Sequence, residues 1–164
     1  MDRGTGLAFM LKIPHSVLDQ LRRHGEETYP HECCGILLGA ADWEEDERAV
    51  TRALRCGNTR ADSPHNRYHI DDRELIAAQK QARERGEDIV GFYHSHPDHP
   101  ARWSATDLAE AHWLGCSYVI TSVTKAKADV TNSFALTGTL EEDKRFMDEL
   151  LVVQEAVAAP QSKA

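Results

Sequence analysis

The 164-residue chain has no long apolar run. Its longest, "CCGILLGA" at 33–40, is the length of a strand, and "LAFML" near the start is broken at once by Lys12. Neither approaches the roughly 20 apolar residues of a membrane helix, and the second is too short for a signal-peptide core. A cytoplasmic location is therefore expected. Basic charge is scarce: 19 Lys and Arg stand against 27 Asp and Glu, for a net charge of −8. That balance lacks the basic footprint needed for non-specific nucleic-acid binding. Cysteines occur only at 33, 34, 56 and 116, with no C-x-x-C pair, so a zinc knuckle is excluded. They read as small buried apolar residues, although Cys33 and Cys34 stand close enough to the candidate site to be weighed as thiols. There is no internal repeat and no low-complexity linker, and the length suits one domain over 1–164.

With 41% hydrophobic and 28% charged residues, the composition is that of an ordinary globular protein. "LAFMLKI" (7–13) reads as a strand ended by Pro14. Val17, Leu18 and Leu21 fall at helical spacing between Pro14 and Pro30. "CCGILLG" (33–39) suits a strand covered on both faces, and "RAVTRALRC" (48–56) alternates like a strand. "GNTRADSPHNRY" (57–68) is a loop by composition. Acidic residues at the front of 71–88 and basic residues late in it complement a helix dipole. A strand at 89–96 and a helix at 104–115 follow. Two further strands at 117–124 and 128–136 precede an amphipathic helix at about 140–159. This order implies an α/β (α+β) layered sandwich of mixed sheet and flanking helices. The last helix would pack on its own domain or, in a homodimer, on a second copy.

Chemistry concentrates in "GFYHSHPDHPARWSATD" (91–107). Residues i and i+2 of a strand face the same way, so His94 and His96 project side by side, with Cα atoms about 6.6 Å apart. Ser95 faces the opposite way, and Pro97 ends the pairing. Asp107, eleven residues beyond His96, falls in the first turn of the next helix. Two imidazoles and a carboxylate would leave one tetrahedral position open, the composition of a catalytic zinc site. "SATD" is equally a capping box, with Ser104 as N-cap and Asp107 at N3. Hydrolysis at such a centre also needs a group to carry a proton. Glu32 in "PHECCGILLG" is a candidate at the mouth of a buried strand, with a solvated turn carboxylate as its plain alternative; spacing alone does not bring it to His94.

The pattern of Glu32, His94-x-His96-Pro97 and Ser104-x-x-Asp107 resembles the signature of the JAMM (MPN-plus) metalloproteases. "HECCGILLG", the stretch from Tyr68 to Asp107, and "SYVITSV" are similar to the stand-alone prokaryotic members, over roughly residues 7 to 137. The resemblance implies a cytidine-deaminase-like fold and a zinc peptidase or isopeptidase. It makes His94, His96 and Asp107 the Zn2+ ligands, Glu32 the general acid/base and Ser104 the stabiliser of the oxyanion. It also implies a protein substrate: a ubiquitin-like or sulfur-carrier protein with a Gly-Gly tail. One departure is visible, since Trp103 stands where relatives often have proline; it would cover the helix start or line the substrate groove.

Two other readings compete. A non-catalytic MPN-type scaffold would be expected to lack the ligand residues, and all five positions are filled here. A zinc deaminase needs a downstream P-C-x-x-C, which is missing. Of the remaining histidines, His99 is a candidate substrate contact, while His65, His69 and His112 carry no assigned role.

Overall fold

The structure is a computed structural model that describes residues 9–58 and 68–155. Along the chain run β1 (Phe9–Pro14), α1 (His15–Thr28), β2 (Cys34–Asp42), β3 (Glu47–Cys56), α2 (Asp72–Glu84), β4 (Asp88–Pro97), α3 (Ala105–Glu110), β5 (Ser117–Thr124), β6 (Lys127–Thr137) and β7 (Arg145–Gln154), with one 3-10 turn at Glu141–Asp143. The loop expected at 57–68 falls mostly outside the described residues, and His65 with it. Among the described residues no helix is long and apolar enough to cross a membrane.

Parallel and antiparallel pairs share one sheet, as the sequence leads one to expect. The strand order is β1-β3-β2-β4-β5-β6-β7, and β1 pairs with β7 in parallel to close it into a barrel. The sheet is therefore not an open layer. Helix α1 touches β1, β3, β4, β5, β6 and β7, laying Val17, Leu21, His24 and Gly25 on the inner side of the curved sheet while its other face stays exposed. There Val17 and Leu21 meet Leu11, Ile13, Leu37, Val50, Val90, Tyr93 and Val119. The opposite surface holds a second core, in which Ala78 and Ala82 of α2 pack over Ile36, Leu38, Phe92, Tyr118 and Ile120. Glycine permits two close approaches in the interior. A Cβ on Gly25 would sit 3.0 Å from a Val123 methyl, and one on Gly35 would sit 2.0 Å from the Tyr93 ring.

Two expected helices are corrected. Of the segment expected as a helix at 140–159, the described residues form a short 3-10 turn followed by β7. Its charged residues gave it a helical periodicity, but β1 and β6 each present an edge of unpaired backbone groups, and β7 satisfies both. Tertiary pairing overrides helix propensity here. Glu149 of β7 is buried. It accepts from Arg48 Nη1 at 2.9 Å and from Ser133 Oγ at 2.6 Å, and the Trp43 ring lies 5.2 Å from the Arg48 guanidinium. The helix expected at 104–115 stops at Glu110. Beyond it Gly115 donates its N–H to Leu136 O and Leu136 donates back to Cys116 O, so the chain is already pairing with β6.

A buried ion pair is costly when one partner is removed and cheap when both are replaced by apolar groups. Arg48→Met alone is expected to cost about 3–5 kcal/mol in urea unfolding, and Arg48→Met with Glu149→Leu is expected to recover most of that loss.

His24, on α1, is another buried polar group, with Nδ1 2.8 Å from Tyr93 Oη. Burial, then the Arg55 charge, lowers its pKa from 6.5 to about 4. The unfolded chain takes up the proton near 6.5 and the folded chain resists it until 4, so stability present above that window is lost as pH falls through it. Comparing wild type with His24→Gln, the difference in unfolding free energy should shift by about 2 kcal/mol between neutral and mildly acid pH, the wild type falling more.

Candidate metal centre

Strand pairing assembles the site. Cys34 of β2 stands opposite His94 of β4, and continuing that antiparallel register two residues sets position 32 opposite 96. The backbone supports the extension: Ser95 N donates to Cys33 O at 3.3 Å, and Cys33 N donates to Ser95 Oγ at 2.8 Å. Ser95 thus faces the interior, while His94 and His96 face the outer surface together. Their Nε2 atoms are 3.2 Å apart. One ligating atom from each of Glu32, His94 and His96 lies within 4.8 Å of the others.

The carboxylate of Asp107 comes to the same point from α3. Its Oδ1 is 3.3 Å from His94 Nε2 and its Oδ2 is 3.1 Å from His96 Nε2. Both halves of the capping box are formed as well: Ser104 Oγ accepts from Asp107 N at 3.0 Å, and Asp107 Oδ2 accepts from Ser104 N at 2.9 Å. The two readings of "SATD" are therefore compatible, since the cap aims the carboxylate at the imidazoles. The Ser104 hydroxyl accepts one bond as a cap and keeps its own hydrogen to donate.

Burial sets the electrostatics. Glu32 is 4% exposed and His94 1%. Burial raises the Glu32 carboxyl to a pKa of about 8; the charge of His96 opposes this, and Asp107 and Glu110 add to it. Its Oε1 has no hydrogen-bond partner. Burial pushes His94 below the usual imidazole range. For His96 burial acts the same way, but the Asp107 carboxylate and the Pro100 carbonyl together carry it above that range. Burial would raise Asp107, yet the two imidazoles hold it well below the ordinary carboxylate range. Burial raises Cys33 to about 11 and Cys34 higher still, so neither supplies a thiolate at neutral pH.

These residues fit a metal ion. The Pro100 carbonyl, 2.9 Å from His96 Nδ1, can only accept, so the His96 proton sits on Nδ1 and the neutral ring presents a lone pair at Nε2. That lone pair faces Asp107 at 3.1 Å and His94 Nε2 at 3.2 Å. Acceptors converging this closely repel unless a cation or shared protons lie among them. Two nitrogens and a carboxylate are a donor set suited to zinc.

The chain matches the family model "Prokaryotic homologs of the JAB domain" over residues 14–137. The chain belongs to this family, the stand-alone prokaryotic JAMM type. Among characterised relatives it is 37% identical to the desampylase of Haloferax volcanii, over 65% of this chain and 73% of that protein. It is 32% identical to a probable TtuB-protein conjugate cleaving protease of Thermus thermophilus, over 63% of this chain and 65% of that protein, just under two thirds of the relative's length. Two solution structures share the fold. One, from Desulfitobacterium hafniense, has 30% identity and a TM-score of 0.72, covering 90% of this chain and 96% of the other. The second, from Salinibacter ruber, has 40% identity and a TM-score of 0.65, covering 91% and 94%.

Other residues of this JAMM-type chain fall into place around the cluster. Trp103 is 38% exposed and packs on Phe146 of β7 at 5.5 Å between ring centroids. His99 is exposed. His112 faces Glu141 at 3.5 Å. Two neighbours of the site escape the sequence reading. Tyr68 stacks on His94 at 4.5 Å and 25°, and nothing in its spacing announces that contact. The Pro100 carbonyl is a backbone group, which no side-chain pattern reveals. In a zinc titration one equivalent is expected to bind per chain and to be lost in His94→Ala and in Asp107→Ala; a wild-type chain that stays metal-free under excess zinc would contradict the fit.

Proposed function

We propose that this chain is a zinc-dependent hydrolase that cleaves a peptide or isopeptide bond at the C-terminus of a ubiquitin-like or sulfur-carrier protein. The observation that carries the reading is the gathering of Glu32, His94 and His96 within 4.8 Å, with the Asp107 carboxylate against both imidazoles. The relatives named desampylase and TtuB-conjugate cleaving protease support the substrate class. A Gly-Gly tail suits the burial of Glu32 and His94: a scissile bond reaches groups so far below the surface most easily when its flanking residues have no side chains. The reading also takes the fold as cytidine-deaminase-like, supported by a mixed sheet with helices on both surfaces.

In this mechanism His94, His96 and Asp107 hold the zinc. When bound, the ion supplies Lewis acidity toward the scissile carbonyl and lowers the pKa of water. Glu32 takes a proton from the attacking water. The Ser104 hydroxyl donates a hydrogen bond to the oxygen that gains negative charge. As the C–N bond breaks, Glu32 returns the proton to the departing amine, leaving a free carboxylate on the carrier. The site's apolar surroundings strengthen each of these interactions.

The test is a mass-spectrometric assay on carriers extended beyond Gly-Gly by one or more residues or by an isopeptide-linked lysine. Wild type is expected to return the carrier mass ending in Gly-Gly. Glu32→Gln is expected to keep its zinc and lose about 10²–10⁴-fold in rate. Unchanged masses throughout a set of such carriers would remove the substrate reading while leaving the metal centre standing.

A further inference from the structure

We propose that Ser122 and Asn132 are positioning residues of the metal centre, acting on His96 through the loop at 98–102. The proposal rests on the reading of His96 as a ligand. Three consecutive carbonyls of this loop each accept one side-chain hydrogen bond. His99 O takes it from Ser122 Oγ at 2.7 Å, Pro100 O from His96 Nδ1 at 2.9 Å, and Ala101 O from Asn132 Nδ2 at 3.0 Å. The outer two donors belong to β5 and β6, and the middle donor is the ligand itself. The Pro100 carbonyl is thus held between two neighbours that are tied to the sheet.

Packing holds the loop at Ala101, which is buried in the outer core. A cavity of about 440 Å³ lies against it, lined by His99, Arg102, Ser122, Thr124, Asp129 and Asn132 among others. Residues 98–100 are exposed. The start of the loop is pinned separately. Asp98, at φ 56°, donates its N–H to Val123 O at 2.7 Å, and its carboxylate accepts from Lys125 N at 3.0 Å and from the Tyr29 hydroxyl. Beyond that pin the Pro100 carbonyl also accepts from Arg102 N at 2.8 Å, and Ser122 and Asn132 are the side chains that tie the carbonyls on either side of it to the sheet.

The chemical consequence is specific. An imidazole whose Nδ1–H is held by a carbonyl presents Nε2 as a lone pair in a fixed direction. If the carbonyl moves, the ring loses both its tautomer preference and its aim. Losing such a partner typically weakens metal affinity 10–100-fold.

The decisive experiment reads the ring directly. In metal-free, ¹⁵N-labelled protein in mildly alkaline buffer, His96 of wild type is expected to show one tautomer, protonated at Nδ1. Ser122→Ala, and Asn132→Asp, which keeps the side-chain shape but removes the donor, are expected to show a mixture. Zinc affinity by chelator competition should fall about 10–100-fold in both, and Ser122→Thr should retain it. Val50→Ala, in the interior core away from the loop, serves as the control for lost stability. An unchanged tautomer in Ser122→Ala and Asn132→Asp would overturn the proposal, as would an equal loss of zinc affinity in Val50→Ala. The tautomer needs neither metal nor substrate, so a wild type that binds no zinc would defeat the reading of the metal centre and still leave this proposal decided.

Discussion

The pairing of β2 with β4 carries the site, because it sets Cys34 opposite His94. In a sheet with both surfaces covered, a slip of one residue turns every side chain to the other face. Such a slip here would send both imidazoles inward against α1 and bring Ser95 and Tyr93 outward. The register is locked by shape. Gly35 leaves room for the Tyr93 ring beside it, and the Ser95 hydroxyl accepts the Cys33 N–H at the point where pairing ends. The residues between the chemical groups are therefore as constrained as the groups themselves. They decide that Glu32 arrives beside two histidines some sixty positions further along the chain.

A second constraint acts from α3. A helix of only six residues has little stability of its own, yet it delivers Asp107. The capping box supplies what length does not. Ser104 and Asp107 exchange hydrogen bonds across the first turn, and the same Asp107 oxygen that accepts from Ser104 N faces His96. The cap and the candidate ligand are one device. Treating them as rival explanations, as the sequence alone invites, separates two functions that a single carboxylate performs with its two oxygens.

These two devices show what was readable from sequence and why the rest was not. The strand at 89–96 that carries His94-x-His96 and the Ser-x-x-Asp spacing are local signals, and the residues they single out lie where those signals put them. The meeting of Glu32 with His94 depends on a long-range register that no spacing encodes, and only resemblance to a known family anticipated it. The segment at 145–154 failed for the opposite reason. Its local pattern reads as an amphipathic helix, while its fate is decided by two strand edges at distant points of the chain that must both be filled. Closure of the sheet was equally hidden, because it follows from that one misread segment. Tyr68 and the Pro100 carbonyl belong to a third class, since stacking and backbone acceptance leave no mark on residue pattern.

The energetics of the cluster explain why it needs so much support. Glu32 and His94 each keep a buried polar atom without a partner, and a group left that way costs on the order of 1–3 kcal/mol. Nε2 of His94, Nε2 of His96 and the Asp107 carboxylate face one another at 3.1–3.3 Å, contacts that a shared proton or a cation satisfies. Tyr68 stacks over His94, and the loop after His96 is tied to β5 and β6. A protein that binds a cation in its native state alone is stabilised in proportion to the logarithm of cation concentration over Kd. An ion held by these groups would therefore return part of the stability that burying them costs. The scaffold's contribution to chemistry is made before any substrate arrives, in keeping these groups together.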